Sequence, residues 1–250
     1  NGETVVDYCY FSSEEGNKYI NRQLIGDLNI DLSDNKLSII KYIYRNTPTN
    51  TIPGITKMMK FCENMLWYRS LSDGNTYAGF TNGANTLSEM LYEKGTAEDF
   101  AKFLKGNGLE YCLEFEESDG KHTLMAVFNE GKKKVPFNSV ASTGTKALFL
   151  FYVWSVTAFD QISLLFIDEF DAFLHYESAA SIVKALNCAH NFQTILTTHN
   201  TYLMQNKLTR PDCCYIMTKN KISNLYEATD KEIREAHNLE KMYINGAFRD

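Results

Sequence analysis

Two adjacent carboxylates, Asp168 and Glu169, follow the apolar run Leu164, Leu165, Phe166 and Ile167. A continuous apolar run of this length reads as a strand covered on both faces, and open α/β sheets bind ligands beyond the carboxyl ends of their strands. Delivered there, Asp168 could hold a Mg²⁺ ion that carries triphosphate oxygens. Glu169 could then polarise a water in line with the terminal phosphate. A solvated acidic turn at the end of a strand has the same local sequence, so the pair alone leaves both readings open.

Two further segments bear on the choice. Thr197-Thr198-His199-Asn200 closes a second apolar stretch. If that stretch is a parallel neighbour of the first, His199 shares a rim with the two acids, where an imidazole can hydrogen-bond a γ-phosphate. A structural or surface histidine remains the plainer reading. Ser142-Thr143-Gly144-Thr145-Lys146 is a turn of small residues ahead of a long apolar run. Such a turn opens a helix whose free N–H groups and dipole suit an anion. Hydroxyls of Ser142, Thr143 and Thr145 would add donors, and Gly144 would allow close backbone approach; an ordinary Ser/Thr helix cap fits equally well.

The elements that must hold these residues follow from periodicity. Thr4–Phe11 reads as a strand. Helical spacing recurs from Leu37 to Tyr44, over Ile55–Arg69 and over Thr96–Lys105. Tyr111, Leu113 and Phe115 alternate with polar neighbours, Asp119-Gly120 supplies a tight turn, and Thr123–Phe128 returns as a second strand. The apolar run near Leu148–Trp154 predicts a buried helix. Ile162–Ile167 predicts a buried strand, Glu177–His190 a helix and Thr194–Thr198 a second buried strand, with Cys213–Met217 as a candidate third. This alternation predicts an α/β fold with a parallel sheet and right-handed crossovers.

In order and spacing, these segments resemble the nucleotide-binding domain of ABC-type ATPases. Ser142–Lys146 matches the signature loop, Leu164–Glu169 the Walker B strand, Phe170–His175 the D-loop and His199 the switch histidine. Asp168-Glu169-Phe170-Asp171-Ala172-Phe173-Leu174-His175 looks most like the RecF, SMC and OLD branch. More narrowly, it is similar to stand-alone bacterial AAA-family, ABC-like ATPases, several of them associated with phage defence. The signature departs from its usual form, with Ala141, Thr143 and Thr145 where Leu, Gly and Gln are common. No GxxxxGK[ST] loop is present, and Gly79–Asn85 is Gly-rich without the lysine.

The resemblance implies a P-loop NTPase-like sheet flanked by helices, divided into a remnant of a first lobe (1–35), a helical insertion (36–110) and an ABC-type core (111–250). It implies ATP and Mg²⁺ as ligands and a homodimer closed around nucleotide. Asp168 would hold the metal, Glu169 would act as general base, and His199 would contact the γ-phosphate. Ser142, Thr143, Gly144, Thr145 and Lys146 would clasp that phosphate from the partner protomer. The first lobe, with its Walker A lysine, is expected outside this chain, so this piece alone is expected to bind ATP poorly. The implied function is ATP hydrolysis that drives or gates a DNA-repair or phage-defence partner. The alternative is a nucleotide-gated scaffold with little turnover that assembles a toxin or nuclease complex. Intrinsic nuclease activity is not expected, because the stretch after His199 is too short for another α/β unit.

Composition agrees with a globular protein: 250 residues, 44% apolar and 22% charged. A formal charge of −6 gives no bulk attraction to nucleic acid, although Lys132-Lys133-Lys134 forms a small basic cluster. The longest apolar run is shorter than the roughly 20 residues of a membrane helix. Six cysteines without a CxxC pair are expected to be reduced thiols, as in cytoplasm.

Overall fold

The computed structural model describes residues 9–11, 18–20, 39–46, 48, 53–70, 86–189, 191–234 and 237–248. The chain packs as two units, Asn1–Met65 and Leu66–Asp250. In the first, β1 (Cys9–Phe11) pairs antiparallel with β2 (Lys18–Ile20), so only the end of the strand expected over Thr4–Phe11 lies among the described residues. Helices α1 (Ile39–Asn46) and α2 (Pro53–Glu63) follow, and the Tyr44 hydroxyl donates to Glu63 Oε2 at 3.4 Å. The Gly-rich segment Gly79–Asn85 lies outside the described residues.

The helical pattern expected over Ile55–Arg69 stops at Glu63. Met65–Arg69 is instead a strand, β3. Leu66 and Tyr68 are buried while Trp67 and Arg69 are exposed, the period of two that a pleated strand imposes. The expected helical stretch is thus interrupted by a strand of the sheet that carries the acids. Helices α3 (Leu87–Lys94) and α4 (Ala97–Gly106) come next. Each is capped by a threonine: Thr86 accepts from the Glu89 N–H and Thr96 from the Asp99 N–H.

An antiparallel sheet is built from β4 (Leu113–Ser118), β5 (Lys121–Phe128) and β6 (Lys133–Pro136), in that order. Its first turn is Asp119-Gly120, both at positive φ (52° and 70°), as two-residue hairpins require. The basic cluster lies at β6, where Lys134 pairs with Glu114. A short helix, α5 (Phe137–Val140), leads to α6 (Thr143–Thr157). Helix α6 is apolar almost all round, and Phe149, Val153 and Trp154 are wholly buried, the signature of a helix inside a core rather than on its surface. Phe100 of α4, Phe137 and Phe149 form a triangle of rings with centroids 5.0–5.5 Å apart, within the range of favourable aromatic packing.

The sheet that matters for function has the order β3-β7-β8, with β7 (Leu164–Asp168) central. Strand β7 runs parallel to β8 (Gln193–Leu196), and α7 (Tyr176–Asn187) is the crossover between them. Small residues Ser178, Ala179 and Ala180, with Ile182, Val183 and Leu186, form its buried face.

Two expectations need correction here. Strand β8 is only half buried, with Ile195 40% exposed, because among the described residues it is the edge of this sheet. The third strand is β3, not the segment around Cys213–Met217. There, β9 (Tyr215–Met217) pairs antiparallel with β10 (Ile222–Asn224) in a separate ribbon. The final helix is α8 (Leu239–Ile244).

Cys62, Cys112, Cys188, Cys213 and Cys214 are free thiols. Among the described residues, no helix is long and apolar enough to cross a membrane.

Candidate functional site

Asp168 is the last residue of β7 and Glu169 the first beyond it. On a continuing strand their side chains would face opposite ways. Glu169 instead has φ +48°, a left-handed conformation uncommon for a residue with a side chain and costing of order 1–3 kcal/mol. A hydrogen bond partly offsets that cost: the Glu169 N–H donates to Thr197 Oγ1 at 2.7 Å. The same hydroxyl donates to Asp168 Oδ1 at 2.6 Å. One threonine at the end of β8 thus fixes both the backbone turn and one oxygen of the first carboxylate.

The other face of the pair meets Arg69, the last residue of β3. Its Nε lies 3.4 Å from Asp168 Oδ2 and its terminal nitrogen 3.0 Å from Glu169 Oε1. The Ser70 N–H donates to the Asp168 carbonyl at 3.2 Å, so the end of β3 is tied to the end of β7. All three charged side chains are open to solvent: Arg69 is 48% exposed, Asp168 32% and Glu169 39%.

The β8 terminus is bound to the same turn. The Phe170 N–H donates to the Thr197 carbonyl at 3.1 Å, and Thr198 Oγ1 donates to Asp171 Oδ1 at 2.6 Å. These bonds place His199 just past the end of the strand beside β7, on the rim that carries Asp168 and Glu169. Its side chain is exposed.

The N-terminus of α6 reaches this turn from another side. A Cβ on Gly144 would lie 2.5 Å from the Phe173 carbonyl oxygen, closer than real contacts allow, so glycine is required where the helix start packs on the 169–175 turn. Ser142 is the N-cap: its Oγ accepts from the Thr145 N–H at 3.2 Å and lies 2.8 Å from Thr145 Oγ1. Thr145 is 1% exposed, so its hydroxyl stabilises the turn and does not face outward as a phosphate donor. Ser142 and Thr143 are exposed and Lys146 is half-buried. The Thr143 and Gly144 amides are the orphan donors that every helix start carries.

Arg69 and Thr197 are the functional candidates that sequence reasoning did not single out. A signal for Arg69 was present in the two-residue alternation of Leu66-Trp67-Tyr68-Arg69, but the helical spacing upstream hid it. Thr197 stands in the Thr197–Asn200 motif, yet nothing in a linear sequence says that one hydroxyl meets residues 28 and 29 positions earlier.

Could these residues hold Mg²⁺ with a nucleotide? The described residues contain no group of three or more His, Cys, Asp or Glu side chains able to hold a metal ion by themselves. Mg²⁺ with nucleotide does not need one, since it binds through one or two carboxylates and completes its shell with phosphate oxygens and water. Asp168 suits that role, being partly exposed with one oxygen already oriented by Thr197. The Arg69 guanidinium against both acids also marks the spot as one where a cation is favoured. The donor set fits.

No curated protein matches this chain. A family model described as "AAA domain, putative AbiEii toxin, Type IV TA system" matches residues 63–205, from just before β3 to just after His199. That span is more than half of the chain and contains every residue of the candidate site, so the chain belongs to this AAA-domain family, a family of the nucleotide-binding P-loop ATPase class.

Proposed function

We propose that this chain is the catalytic-carboxylate and signature-bearing part of an ABC-like ATPase of the RecF, SMC and OLD branch. In this reading it closes as a dimer around ATP and drives or gates a DNA-repair or phage-defence partner. The observation that supports it is the meeting of three separated segments at one turn: the acids ending β7, the Thr197–His199 end of β8 and the start of α6.

On this reading Asp168 would hold Mg²⁺ together with phosphate oxygens, while Thr197 keeps the carboxylate in place through Oδ1. Bound Mg²⁺ supplies charge neutralisation on the phosphate oxygens. Glu169, turned by its left-handed backbone to the same side as Asp168, accepts the proton of the attacking water. His199 donates to the terminal phosphate. Ser142, Thr143 and Gly144 present hydroxyls and helix-start amides to the nucleotide of the partner protomer, and Lys146 adds positive charge one turn in. Thr145 supports that turn from inside.

The domain division belongs to the same proposal, with one change: the division expected at residue 110 gives way to a core that also takes in β3, because that strand lies beside β7. So do a cytoplasmic location and the supply of a Walker A lysine from outside this chain. The family description names a putative toxin of a type IV toxin–antitoxin system, which supports a toxin assembly as what ATP controls.

Glu169→Gln in the full-length protein tests the reading. It keeps the shape of the side chain and removes its basicity. Phosphate release should be lost, and an ATP-bound dimer should accumulate in size-exclusion chromatography with light scattering. Unchanged turnover would remove Glu169 from the chemistry.

A further inference from the structure

Two acids on consecutive residues share one guanidinium here because Glu169 leaves the strand with φ +48°. The two contacts differ in kind. Arg69 approaches Glu169 at 3.0 Å but Asp168 at only 3.4 Å, so its hold on the metal-binding acid is the looser one. With Arg69 48% exposed, that hold is screened by water and weak, as exposed ion pairs are. Asp168 Oδ1 is retained separately by Thr197 at 2.6 Å, so losing Arg69 would not let the carboxylate swing.

We propose that Arg69 is a displaceable internal counter-cation. It neutralises the Asp168–Glu169 pair while the site is empty, and it yields Asp168 Oδ2 when a divalent cation enters. It then stays on Glu169 and keeps that side chain in place. The inference rests on the nucleotide-site reading above, and it makes Arg69 a positioning residue rather than a catalytic one. Its physical content is a competition: two cations, one tethered by β3 and one arriving with nucleotide, share one carboxylate oxygen. The tethered cation lowers the apparent affinity of the other, and so raises the divalent-cation level at which the site fills.

The test is Mn²⁺ binding to the full-length protein in the presence of a non-hydrolysable ATP analogue, read from the electron paramagnetic resonance of free Mn²⁺. Arg69→Met should tighten Mn²⁺ about two- to fivefold, the size expected from releasing a weak exposed ion pair. Arg69→Lys, which keeps the charge and loses the fork, should fall between Met and wild type. Asp168→Asn should abolish the Mn²⁺ site in every background. Equal or weaker Mn²⁺ binding by Arg69→Met, with binding still sensitive to Asp168→Asn, overturns the role of Arg69 and leaves the nucleotide site standing. If Asp168→Asn changes nothing, the nucleotide-site reading itself falls. A second readout needs no variant to fold: the Arg69 Nε–H resonance of the wild-type protein should move when Mg²⁺ and the analogue are added. A resonance that stays put refutes displacement.

Discussion

Thr197→Val is the sharpest test of how the candidate site is assembled. Valine matches threonine in shape, so the backbone of β8 and the packing of the γ-methyl are retained. Two hydrogen bonds are lost, one donated to the Asp168 carboxylate at 2.6 Å and one accepted from the Glu169 N–H at 2.7 Å. A bond to a charged acceptor contributes about 1.5–3 kcal/mol and a neutral one about 0.5–1.5 kcal/mol. Asp168 is 32% exposed, so water recovers part of the first term. Glu169 then keeps its left-handed turn without the bond that holds it. The expected loss is about 1.5–3 kcal/mol, which for a domain of this size lowers Tm by roughly 3–10 °C.

Chemical denaturation and calorimetry read this directly, with Thr197→Ser as the control that keeps the hydroxyl. Serine should stay within about 1 kcal/mol of wild type, the cost of one lost methyl. A double-mutant cycle with Asp168→Ala should show coupling of about 1 kcal/mol. If valine is as stable as wild type, or serine falls as far as valine, the hydroxyl does not organise the site.

Two other perturbations probe the elements around it. Gly144→Ala puts a Cβ against the Phe173 carbonyl at 2.5 Å, a contact that backbone can relieve only by moving; a loss of about 1–3 kcal/mol is expected, measured by the urea midpoint, and an unshifted midpoint would contradict the packing of α6 on the turn. On α3, Glu89 accepts the backbone N–H of His122 and faces its ring, and these bonds, led by the backbone one, hold its pKa below the usual glutamate range. A lowered folded-state pKa stabilises above the unfolded value and is lost as pH falls through the folded one, so Glu89→Gln should flatten the acid limb of a stability–pH curve below the ordinary glutamate range; identical limbs would remove Glu89 from acid stability.

The chain by itself determined a good part of this protein. Four apolar residues ahead of Asp168-Glu169 could only be a strand end or a buried helix, and the flanking turn residues with the next apolar run settled on the strand. The Asp119-Gly120 hairpin and the Ser142 cap were legible because turns and helix starts are local events, decided by residues a few positions apart. Tertiary structure decided the rest. Met65–Arg69 reads as the tail of a helix over a short window, and becomes a strand because β7 offers it hydrogen bonds from a hundred residues away. Thr145 reads as an outward donor until the packing buries it. Glu169 turns back beside Asp168 only because Thr197 and Arg69 arrive from two other strands. Side-chain direction at a strand end is a property of neighbours in space, and periodicity along one segment holds no information about them.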